Sequence, residues 1–278
     1  MKRNQSLTII ITFIAVIFSY NFLISENLSF NIIKKTDKDI TFKYSNNFAT
    51  ERVIMIIRDA KDSIFTIDTN FDYNKYDIRN NDFSKKNNAV KLSEFPNIEN
   101  KYFVLVDSSN LKTIEKSVSS LKPVTKYSID LYKINKDKFS TESFPFVTLA
   151  PEPTEQASQI AFIGNETDKI TLTWTNGNGT GRVIFASMDT IKDFPVDGVE
   201  YKPSRFFSDS VSKIKNNSET FCVYNSLLDK EKKITINNVG YGDYFFRIFE
   251  FNGSKDSVNY LTSSNKSNPR NKFIYILK

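Results

Sequence analysis

A chain of 278 residues, 14% of them aromatic, has material for two ordinary cores, and 38 basic against 32 acidic groups leave a net charge of only +6. Acids and bases alternate, as at Lys230, Glu231, Lys232 and Lys233, so the surface is a mixed one and no nucleic-acid partner is expected. With no histidine, and with Cys222 as the one cysteine, a Ser-His-Asp or Cys-His pair and an intrachain disulfide are excluded, and a soft-metal site nearly so. No catalytic residue, metal or cofactor is therefore expected. Cys222 lies in the apolar run FCVY and reads as a small buried hydrophobe.

The N-terminus carries Lys2 and Arg3, then a greasy stretch over residues 7–24 interrupted by Thr8, Thr12, Ser19, Tyr20 and Asn21. This predicts a leader helix within residues 1–25, either a signal peptide or a retained anchor, and the only membrane contact of the chain. Leu23 stands where a cleavage site prefers a small residue, so both fates stay open. In either case the rest of the chain faces an extracytoplasmic compartment, secreted or at the cell surface.

Residues 40–54 read ITFKYSNNFATERVI and residues 170–184 read ITLTWTNGNGTGRVI, a gapless near-repeat at an offset of 130 with seven of fifteen positions identical. The changes Phe42/Leu172 and Tyr44/Trp174 keep the apolar face, so the repeat preserves burial as well as identity. Period-2 alternation puts Ile170, Leu172 and Trp174 on one strand face. The turn Asn176, Gly177, Asn178, Gly179 permits positive φ and predicts a hairpin returning through Arg182 to Met188. A second correspondence pairs Phe103 with Phe221, Val118 with Ile236 and Leu121 with Val239 at an offset of 118, so the connection between the two blocks is twelve residues longer in the first copy.

That connection, residues 60–101 in the first copy, holds Phe71, Tyr73, Tyr76 and Phe83 among Asp and Asn, and its counterpart holds Phe206 and Phe207. Such rings can stack on a polysaccharide or anchor a protein partner at the cell surface, and these six are the candidate partner-binding residues. The plainer reading, that they fold back and bury themselves, is favoured by the length of the connection. Asp189, Asp193, Asp197 and Glu200 also cluster, but they lack the spacing of a calcium loop, and Asp197 followed by Gly198 reads as a turn.

Leu121, Pro123, Thr125 and Tyr127 resemble the tyrosine corner of the fibronectin type III family. The resemblance implies an all-β chain of two tandem immunoglobulin-like sandwiches, with Trp174 as the core tryptophan, Tyr44 in its place in the divergent first copy, and Tyr127 and Tyr244 as corner tyrosines. The second copy further resembles a branch common in secreted and surface proteins of Bacteroidetes-type bacteria, through TWTNGNG at 173–179, FPVDGVEY at 194–201, CVYN at 222–225 and FEFNGS at 249–254. Domains are expected at 27–150 and 158–278, joined by a Pro-containing linker at 151–157 that favours extended backbone. The function implied is a non-enzymatic interaction or spacer module. An accessory module of a larger secreted enzyme or adhesin, or a membrane-anchored subunit, is the alternative.

Overall fold

The computed structural model describes residues 29–45, 52–61, 82–84, 102–107, 113–135, 138–164, 167–216, 218–228 and 231–275. The leader lies outside them. Among the described residues no helix is long and apolar enough to cross a membrane.

The first half forms strands β1 (Ser29–Lys35), β2 (Ile40–Ser45), β3 (Arg52–Asp59), β4 (Tyr102–Asp107), β5 (Thr113–Val118), β6 (Lys126–Asn135) and β7 (Lys138–Val147). They make a three-stranded sheet in the order β1-β2-β5 and a four-stranded sheet in the order β4-β3-β6-β7. The second half repeats the plan with β8 (Ser158–Ile163), β9 (Lys169–Thr175), β10 (Gly181–Ser187), β11 (Thr220–Leu227), β12 (Lys233–Asn237), β13 (Gly242–Asn252), β14 (Asn259–Tyr260) and β15 (Arg270–Ile274). Here β8-β9-β12 faces a sheet of β11-β10-β13, and β14 and β15 both pair with β13. All these pairings are antiparallel. The chain is all-β, two tandem immunoglobulin-like sandwiches of the fibronectin type III kind.

Alternation explains each core. Ile40, Phe42 and Tyr44 of β2 are buried against Ile57, Ile129, Leu131 and Phe146 of the opposite sheet. Ile170, Leu172 and Trp174 of β9 are buried against Ile184, Val223, Phe246 and Ile248. Each fully buried aliphatic or aromatic side chain contributes about 1.5–3 kcal/mol relative to exposure. The sequence correspondences meet in space: Ile40 is paired with Val118, and Ile170 with Ile236.

The expected hairpin is not formed. β9 pairs with β8 and β12, whereas β10 pairs with β11 and β13, so the chain crosses from one sheet to the other at Asn176 to Gly179. β2 and β3 are divided in the same way. Both strands of each pair carry an apolar face, and those faces are buried by opposing one another across the sandwich.

Nor do Gly177 and Gly179 use left-handed backbone; the glycines that do include Gly164, Gly198 and Gly253. They are glycines because of close approach. A Cβ on Gly177 would strike the Glu155 carbonyl, and one on Gly179 would lie 2.7 Å from a Glu250 carboxylate oxygen. Their N–H groups donate to that carboxylate at 3.0 and 3.1 Å, and Arg182 Nε donates to it at 3.1 Å. The crossing is thereby organised around one buried acid.

Candidate functional site

Trp174 is 4% exposed, and its indole N–H donates to Asn176 Oδ1 at 2.7 Å. Tyr44 is fully buried. The two corner tyrosines bury their rings and accept backbone N–H groups through their hydroxyls, Tyr127 from Lys122 at 3.0 Å and Tyr244 from Gly240 at 2.9 Å. Burial pushes the Tyr127 phenol up from its ordinary pKa, opposed by the Lys122 bond. The corner survives in the second copy without its proline because the accepted N–H, not the ring before it, makes the contact.

Of the six aromatic candidates, Phe71, Tyr73 and Tyr76 lie outside the described residues. Phe83 and Phe207 occupy equivalent places. Asp82 bridges Ser119 and Phe206 bridges Asn237, both in parallel sense, and the next residue in each case donates its N–H back at 2.9 Å, Phe83 to Ser119 O and Phe207 to Asn237 O. Each phenyl then meets the corner tyrosine edge-on, Phe83 at 5.5 Å from Tyr127 and Phe207 at 4.9 Å from Tyr244. These two rings cap the ends of the cores, Phe207 buried and Phe83 half-buried. Phe206 is 59% exposed. The shared Phe-Ser pair, Phe83-Ser84 and Phe207-Ser208, is the sequence signal that could have revealed the equivalence.

The four acidic residues are not brought together. Asp193 pairs with Lys215 and accepts from Ser218, which hold its carboxyl below its ordinary pKa. Asp189 pairs with Lys192 at 3.5 Å, Asp197 accepts the Tyr260 N–H at 2.9 Å, and Glu200 accepts the Lys255 N–H at 2.6 Å. Gly198, at φ +76°, completes a turn in which Val199 N–H donates to Val196 O at 3.1 Å. Among the described residues no group of three or more Asp, Glu, Cys or His could hold a metal.

Sequence reasoning missed a second apolar layer. The outer face of the second sandwich's larger sheet carries Val183, Phe185, Cys222, Phe249 and Phe251, covered by Ile191, Tyr201, Ile214 and Val258 from the connections and by Tyr260 of β14. Burial pushes the Cys222 thiol up to about 12, so it stays protonated and inert. Over this layer Phe194 and Val196 stand 46% and 58% exposed. An open cleft of about 520 Å³ lies at one end of the same sandwich, lined by Met188, Phe207, Ser208, Phe221 and Tyr244 among others. The two carboxylates on its lining, Asp189 and Glu219, are paired with Lys192 and Lys213. It can accept an apolar group.

The two sandwiches meet through the connector. Leu149 N–H donates to Thr36 O at 3.0 Å in the first, and Ala150 N–H donates to Ser257 O at 2.8 Å in the second. Asn259 and Asn252 donate side-chain amides to Ala150 O and Pro151 O at 2.7 and 2.8 Å. Asn178, from the crossing, accepts the Thr154 and Glu155 N–H groups at 3.0 and 2.9 Å. Lys35 reaches from β1 to donate to Asp256 O at 2.7 Å. Burial lowers its pKa, and Asp256 and Asp197 oppose that shift.

The strand order and the two cores give the fold: this is fibronectin type III architecture. No family model matches the sequence, and no curated protein matches it. Among solved structures the chain is similar to the crystal structure of chicken CNTN1 FN1-FN3 domains, at 10% identity and a TM-score of 0.39. The likeness covers 88% of this chain and 66% of that one, so the chain spans just under two thirds of that fragment.

Proposed function

We propose that this chain is an exported, non-enzymatic module that serves at a cell surface as a stiff spacer and presents a protein-binding face. The observation that carries the reading is the junction, where the connector is hydrogen-bonded to both sandwiches and Lys35 crosses between them. A tether built to swing would leave those backbone groups to water. The acidic side chains that suggested chemistry each hold a separate structural partner, which supports a non-catalytic role. In this reading residues 7–24 supply export, residues 27–150 and 158–278 are the two domains, and the second belongs to the branch found in secreted proteins of Bacteroidetes-type bacteria.

The test has two arms. Small-angle scattering of the exported form should give a single elongated particle whose dimensions stay constant with salt, and a broad distribution of end-to-end distances would refute the spacer role. N-terminal residue determination on the exported form should find a chain starting near residue 26. A chain retained in the cytoplasm, or a hydrolase activity in the purified protein, would overturn the reading.

A further inference from the structure

Three arginines are buried among the described residues: Arg58, Arg182 and Arg247. Two of them meet an acid through Nε. Arg58 donates Nε to Asp130 Oδ2 at 2.6 Å and Nη2 to Oδ1 at 3.4 Å, and Arg182 donates Nε to Glu250 Oε1 at 3.1 Å. Arg247 differs. It is 9% exposed, its Nη2 donates to Thr262 O at 2.7 Å, and its Nε has no acceptor. That Nε is the one buried side-chain nitrogen or oxygen without a hydrogen bond among the described residues.

The guanidinium lies 4.5 Å from the ring centre of Phe194 and 5.0 Å from that of Phe249. Ring faces attract the cation but do not accept an in-plane N–H in the way a carboxylate does. Burial alone lowers the Arg247 pKa, with no acid opposing it. The nearest acid along the chain from Phe194, Asp193, is already neutralised by Lys215. A buried guanidinium with neither counter-charge nor full hydrogen bonding is costly to keep, and such a group is a candidate for an acceptor supplied from outside.

We propose that Arg247 is the anchor of a protein-binding site, and that an aspartate or glutamate of the partner seats on its Nε as Asp130 and Glu250 seat on the other two arginines. The surroundings fix the kind of partner. Phe194 offers exposed phenyl surface against the guanidinium, and Val196, two residues on, offers exposed aliphatic surface. An acidic side chain flanked by apolar ones fits that chemistry. This proposal rests on the binding half of the proposed function and is independent of the stiffness of the junction.

The experiment is a titration of the 15N-labelled chain, reading the Arg247 Nε–H resonance. Probes are acetyl-Leu-Asp-Leu-amide, the same peptide with Asn in place of Asp, and sodium glucuronate, at constant ionic strength. The Asp peptide should move the resonance downfield and saturably, with an affinity about tenfold above both other probes, the scale expected of a charge-assisted contact to a buried arginine. Phe194→Ala, which leaves the inner core untouched, should weaken the Asp peptide while the remaining spectrum stays dispersed. An unmoved resonance, or equal shifts from the Asp and Asn peptides, would overturn the proposal, and tighter binding of glucuronate would show a sugar site instead. Arg247→Met, if it folds, should lose the distinction between the two peptides, and a retained distinction would also overturn it.

Discussion

The two sandwiches agree on the inside and part company on the outside. Within, the same positions are filled: Ile40 beside Val118 and Ile170 beside Ile236, Tyr44 where the second copy has Trp174, and Phe83 on Tyr127 as Phe207 is on Tyr244. On the outer face of the larger sheet the first copy buries an ion pair, Arg58 with Asp130, and Ser128 donates to the same carboxylate at 2.8 Å. The second copy buries phenyl rings there instead. An inward residue must fit partners from both sheets, while an outward one answers only to whatever loop covers it. Duplication therefore leaves the inner faces alike and lets the outer faces acquire separate chemistry.

That contrast can be broken by experiment, and the largest effects should come from the inner core. Trp174→Ala should destabilise the second sandwich by about 3–5 kcal/mol, the range for large-to-small core changes. Denaturant unfolding followed by two probes should then show the first sandwich melting as before. A common loss in both halves would mean that they unfold as one unit.

On the outer face of the first copy, Asp130→Ala strands a buried guanidinium and should cost about 3–5 kcal/mol. The double variant Arg58→Met with Asp130→Leu should recover most of it. If it does not, the pair has a role beyond holding two charges out of water. The thiol marks the second copy alone. Its folded pKa of about 12 stands above the ordinary 9.0, so the unfolded chain releases the proton first and stability falls as pH rises from 9 toward 12. At pH 10 the loss should be on the order of 1 kcal/mol and absent from the pH profile of Cys222→Ala.

Tyr127→Phe and Tyr244→Phe should each cost about 1 kcal/mol, one net hydrogen bond. Unequal costs would deny that the two corners are equivalent. The smallest energetic effect belongs to Lys35→Met, which should leave both unfolding midpoints in place and loosen the coupling between the sandwiches in NMR relaxation. Unchanged joint tumbling would assign the stiffness to the connector alone.

The sequence made the inner faces legible because alternation with period 2 reports burial directly. It could not tell that β2 and β3, or β9 and β10, belong to opposite sheets, since a strand's pattern states which face is buried and not which neighbour it pairs with. The glycines of the crossing were misread for a related reason. Their identity is set by Glu155 and Glu250, one of them more than seventy positions away, and not by local backbone conformation. Arg247 was invisible for the same cause: it lies in a strand that reads as apolar, and its surroundings come from Phe194 and Thr262 on separate connections.

Residues 149–157 have the composition a protease favours, small and acidic side chains about two prolines. A protease must draw several consecutive residues into an extended strand in its own cleft before it can cut. Leu149, Ala150, Thr154 and Glu155 already spend their N–H groups on the sandwiches, and Gln156 is spread between the Leu261 and Ser263 carbonyls and the N–H of Glu250. The segment that divides the molecule on paper is thus withdrawn from digestion, and trimming should begin elsewhere, leaving the two halves joined as a single resistant fragment.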